Sequence, residues 1–131
     1  MIGIVIVAHG GLASESLQTV EHIIGKQPGV KAIEFGPDYQ RDTKEREICE
    51  AADAVDQGKG VVVVADIFGA TPSNLALFAC KPEKRRIIYG ANIPALVKLA
   101  KCRDMPLDDA VRAALAAGKK HIGSLNMTSD D

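Results

Sequence analysis

The sequence predicts an α/β domain, a three-layer, doubly wound, mainly parallel sheet with strand order 2-1-3-4. Three observations predict it. The runs Ile2–Ala8 and Val61–Ala65 are continuously apolar, as strands buried on both faces must be, and such strands belong to parallel sheets. The intervening segments space their apolar residues with a helical period, so strands and helices alternate. All six prolines fall at the boundaries of these segments.

The first strand, 2–8, leads into a helix over 13–26, where Leu17, Val20 and Ile24 make one apolar stripe. Gly25 and Pro28-Gly29 stop it. Residues 30–35 alternate apolar with polar, which predicts a strand at a sheet edge, and Gly36-Pro37-Asp38 turns the chain. In the helix over 42–57, Ile48, Ala51, Ala52 and Val55 face inward while Asp42, Glu45, Arg46, Glu47 and Glu50 form a solvated surface. Val61–Ala65 is β-branched almost throughout and reads as the central strand.

The loop Asp66–Ala70 leaves its carboxyl end, and Thr71-Pro72 supplies an N-cap and a first-turn proline for a helix over 72–80. A charged turn (81–85), a strand (86–89) and a helix beginning at Pro94 (94–102) follow. The helix over 107–117 turns Leu107, Ala110, Val111, Ala114 and Leu115 inward. His121–Leu125 fits a fifth, short strand. Residues 1–125 are expected to form one domain, and 126–131 a disordered polar tail.

Composition narrows the function classes. With 16 basic and 17 acidic side chains, the chain has no basic surplus for binding nucleic acid through counterion release. It has no basic amphipathic stretch for a membrane surface, and no apolar run approaches the roughly 18 residues that span a bilayer. The apolar N-terminal run lacks the basic flank of a secretory signal, so a cytoplasmic location is expected. Cys49, Cys80 and Cys102 are odd in number and unpaired by motif, as suits reduced, buried thiols. The absence of Trp leaves no aromatic platform for bases or sugar rings.

His9 stands out against this frame. It follows the first strand and precedes Gly10-Gly11, at the strand ends where open parallel sheets bind ligands. Strand order 2-1-3-4 sets strands 1 and 3 side by side, which brings Asp66 against His9. A carboxylate that accepts a proton from one ring nitrogen leaves the other as an outward lone pair. Gly10, Gly69, Ala70, Thr71 and Ser73, with the helix N-terminus at Pro72, offer N–H and hydroxyl donors for a phosphate.

Three roles are open to His9 on these features. As a phosphoryl-accepting nucleophile it has an orienting acid and an anion seat. As a general base it lacks a G-x-S-x-G nucleophile, and Ser14 lies within the first helix. As a metal ligand it lacks company, since His22 and His121 are distant in sequence and no Cys/His cluster exists. The first role is favoured, with no metal and no cofactor.

The segments Ile4–Gly10, Asp66–Asn74 and Gly90–Pro94 resemble the IIA component of the mannose family of the phosphoenolpyruvate-dependent sugar phosphotransferase system. The resemblance covers nearly all of 1–125. It implies that His9 accepts phosphate from the phosphocarrier HPr and passes it to a IIB protein, with Asp66 orienting the ring and Thr71 bonding the phosphoryl oxygens. It implies a homodimer in which an antiparallel strand, here 121–125, is exchanged. Ala70 stands where relatives often carry glycine. No Ala/Pro-rich linker leads to a fused IIB domain, so a separate IIB chain is expected, without direct membrane insertion. Three alternatives stay open: a regulatory module controlled by phosphorylation, the phosphotransfer subunit of a dihydroxyacetone kinase, and a small hydrolase using His9 and Asp66 as a base dyad.

Overall fold

A computed structural model describes residues 1–67, 71, 74 and 83–127. The elements are β1 (Gly3–His9), α1 (Leu12–Ile24), β2 (Val30–Phe35), α2 (Arg41–Val55), β3 (Val61–Ala65), β4 (Arg85–Ile88), α3 (Ile93–Lys101) and α4 (Leu107–Lys120). The four strands form one parallel sheet in the order β2-β1-β3-β4. Of the predicted helix over 72–80, Asn74 is helical, as is Thr71 just before it, and the rest lies outside the described residues.

Strand alternation sorts the core into two layers. Ile4, Ile6, Ala8, Val62 and Val64 face α1, α3 and α4, meeting Val20, Leu99, Ala110 and Ala114. Val5, Val7, Ile33, Val61 and Val63 face α2, meeting Ile48, Ala52 and Val55. β1 and β3 are therefore covered on both sides, which is why their sequences are unbroken apolar runs. β2 is an edge strand, and its alternating pattern reflects that.

The register pairs His9 with Phe35, so β1 and β2 end together, and Val7 with Ala65, so β3 ends two residues short of them and Asp66 follows beside the tip of β1. At the opposite end, buried Arg103 donates from Nε to the Ile2 carbonyl at 2.7 Å and from Nη2 to the Gly29 carbonyl at 3.2 Å. One guanidinium thereby clips together the beginnings of β1 and β2.

Several expectations change, and Leu115, expected to face inward from α4, is 37% exposed. β1 runs one residue further than read from sequence, so His9 ends the strand instead of following it. α4 continues to Lys120 instead of 117, because Gly118 is a contact point and not a stop. A β-carbon there would lie 3.0 Å from the Ala95 Cβ, and the Gly118 carbonyl accepts from Asn92 Nδ2 at 3.0 Å. Residues 121–125 form no strand in the single chain, where Ile122 and Leu125 are exposed. Among the described residues no helix is long and apolar enough to cross a membrane.

Candidate functional site

His9 is carried on the tip of a rigid central strand, and Asp66 follows the neighbouring strand directly. Asp66 Oδ2 lies 2.8 Å from His9 Nδ1 and also accepts the His9 backbone N–H at 3.1 Å. One oxygen therefore fixes both the backbone and the ring of the histidine. The Asp66 side chain is 14% exposed and that of His9 is 53% exposed, so the acid is shielded while the ring meets solvent.

Burial pushes the Asp66 carboxyl up, but the two hydrogen bonds from His9 and its nearby charge outweigh this and hold it below the ordinary carboxylate value. An ionised carboxylate only accepts, so the proton between the two groups belongs to Nδ1. Nε2 of the neutral ring is then a free lone pair. Oδ1 of Asp66 is buried without a hydrogen-bond partner among the described residues.

Gly10 follows with φ +55, a left-handed turn that releases the chain from β1 within one residue. Its N–H donates to the Phe35 carbonyl at 3.1 Å, and a β-carbon on it would meet nothing within 4 Å. Main chain beside the imidazole is thus bare. Thr71 is helical and half-buried, while Gly69, Ala70 and Ser73 lie outside the described residues.

The structure brings two further groups to this end of the sheet. Phe35 ends β2 and sets its ring against His9, with centroids 4.5 Å apart and planes at 43°. The signal for it was faint: a residue ending its strand before a glycine, as His9 does. Ser14 in α1 donates to Glu34 Oε1, tying α1 to β2, so its hydroxyl is already engaged. His22 in the last turn of α1 and His121 after α4 are exposed and stand apart from the pair. Asn92 caps α3, accepting from the Ala95 N–H at 3.0 Å. Cys102 is buried and Cys49 partly so, whereas Cys80 lies outside the described residues.

Among the described residues no group of three or more His, Cys, Asp or Glu side chains converges on a metal-binding position. What remains is an oriented imidazole with one bare nitrogen on an open surface. That arrangement suits attack on an electrophile presented by another molecule.

Comparison with known proteins gives a consistent result. Residues 3–116 match the family model described as the PTS system fructose IIA component. Over 127 residues the chain is 32% identical to the mannose-specific EIIAB component of the PTS of Escherichia coli K12, covering 95% of this chain and 39% of that protein. It therefore spans well under half of that relative's length. Among solved structures, the phosphotransferase system component EIIA from Streptococcus agalactiae superposes with a TM-score of 0.84 at 25% identity, covering 95% of this chain and 97% of that one. The mannose/sorbose-specific IIA subunit from Enterococcus faecalis shares the fold, with a TM-score of 0.86 at 17% identity, covering 97% of this chain and 96% of that one.

Proposed function

Because the chain belongs to the mannose-family IIA components of the sugar phosphotransferase system, we propose that it is a phosphoryl carrier with His9 as the acceptor. The observation that carries this reading is the 2.8 Å contact between Nδ1 and Asp66 Oδ2 beneath an exposed ring. The Nε2 lone pair attacks the phosphorus of a phosphorylated HPr-type carrier, a bond forms to Nε2, and the bond to the donor nitrogen breaks. The ring becomes cationic while its Nδ1 proton stays on the hydrogen bond to Asp66, whose negative charge offsets the new positive one. The reverse process then delivers the group to a IIB acceptor.

Phosphoryl transfer between two proteins asks mainly for in-line placement and charge stabilisation. Thr71, together with Gly69, Ala70 and Ser73, serves as the phosphate seat, and Gly10, whose N–H is given to the Phe35 carbonyl, contributes the room left by its missing side chain. No cofactor is required. The chain works in the cytoplasm as a homodimer, with 121–125 crossing to pair antiparallel with β4 of a second copy. The exposed Ile122 and Leu125, and the edge position of β4 among the described strands, support that assembly.

Incubation with phosphoenolpyruvate, enzyme I and HPr tests the reading. Wild type is expected to gain an acid-labile, base-stable phosphoryl group, and His9→Ala none. An unmodified wild type in the presence of active donors overturns it.

A further inference from the structure

The geometry points to Phe35 as a positioning residue that sets the plane of the His9 ring for phosphoryl transfer, an inference resting on the function proposed above. The hydrogen bond from Nδ1 to Asp66 Oδ2 holds one atom of the ring. With Cγ tethered to the backbone through Cβ and Nδ1 held by Asp66, the ring can still rock by coupled rotation about χ1 and χ2, and rocking carries Nε2 sideways. A flat wall against the ring removes that freedom.

Phe35 supplies the wall. Its ring centroid lies 4.5 Å from that of His9 with a 43° tilt, within the range of direct aromatic contact. The wall is itself fixed. Phe35 is only 5% exposed, it pairs in register with His9, and its carbonyl accepts the Gly10 N–H at 3.1 Å. Tyr39 meets its ring edge-on, with centroids 4.7 Å apart and planes at 79°. Asp66 and Phe35 therefore come from opposite neighbours of β1, one fixing the direction of the ring and the other its tilt.

Two consequences bear on the reaction. Nε2 is held on one line of approach, so less orientational freedom is lost on reaching the transition state. The ring also becomes positively charged once phosphorylated, and the electron-rich face of Phe35 attracts that charge. Both depend on an aromatic face and not on apolar volume, which separates this role from packing.

The test compares Phe35→Leu, which keeps an apolar side chain without the flat face, with Phe35→Tyr, which keeps the face. Carbon-13 relaxation of the His9 ring C–H groups in the unphosphorylated full chain needs no partner protein. Because Asp66 sets the tautomer in every variant, wild type and Phe35→Tyr are expected to show a rigid ring, and Phe35→Leu the same tautomer with ring motion of larger amplitude. Single-turnover uptake of phosphate from phospho-HPr should fall about tenfold in Phe35→Leu and stay within about twofold of wild type in Phe35→Tyr. If Phe35→Leu does not fold, Phe35→Met takes its place. A folded variant lacking the aromatic face, with a ring as rigid as in wild type and wild-type uptake, overturns the inference. Wild type that takes up no phosphate at all would overturn the proposed function instead, leaving the ring spectra to judge Phe35.

Discussion

Both donors of His9, its backbone N–H at 3.1 Å and its ring Nδ1 at 2.8 Å, converge on the single oxygen Oδ2 of Asp66. An amide oxygen in that place could still accept, but it would bring no charge to offset an imidazolium. Asp66→Asn is therefore expected to keep the fold and to slow phosphoryl uptake by about 10²-fold or more. Rapid-quench measurement with phospho-HPr checks this, and a loss below about threefold would contradict the role given to the charge.

The same contact makes stability depend on pH in a defined direction. The Asp66 carboxyl is held below its ordinary value, so its contribution is fully present above the unfolded-state value of about 3.9 and is lost as pH falls through the lower folded value. Urea midpoints measured between about pH 2 and 6 should fall more steeply on acidification for wild type than for Asp66→Asn. Equal slopes would show that the two carboxyl environments do not differ.

At the far end of the sheet, Arg103→Met is expected to destabilise the fold by about 2–4 kcal/mol, because the buried Ile2 carbonyl loses its guanidinium partner. Calorimetry reads the loss. Phosphoryl uptake, measured well below the unfolding midpoint, should be unchanged, since His9 lies at the other end of β1.

Ser14→Ala separates a structural hydroxyl from a nucleophilic one. It removes the donor to Glu34 Oε1 and should cost about 1–2 kcal/mol in stability. Phosphoryl uptake should stay within about twofold of wild type. A hydrolytic activity lost in Ser14→Ala would instead revive a base-dyad reading for His9 and Asp66.

What the chain discloses in its sequence follows physical lines. The unbroken valine and isoleucine runs of β1 and β3 announce burial on both faces, and that burial leads to the parallel sheet. Once β1 and β3 are neighbours, the meeting of His9 with Asp66 follows from where their strands end. Phe35 was hidden because its contact depends on the register Ile4 to Val30, and one slipped residue would put its ring on the other face. Arg103 was hidden because a lone arginine after a helix resembles any surface cation until the carbonyls it reaches are known. Gly118 sits inside α4 because a β-carbon there would press on Ala95 and Asn92, a contact that no local pattern reveals. Residues 121–125 carry a strand-like pattern without a partner strand among the described residues.

His9 and Asp66 are 57 positions apart, and α1, β2, α2 and β3 lie between them. Closing so long a loop costs entropy that only the completed β1–β3 ladder offsets, so the pair is absent from any species in which those strands have not yet joined. The capacity to take up phosphate therefore appears only once that ladder is complete in refolding and is lost when it opens in denaturation. It is a chemical gauge of whether the molecule is whole.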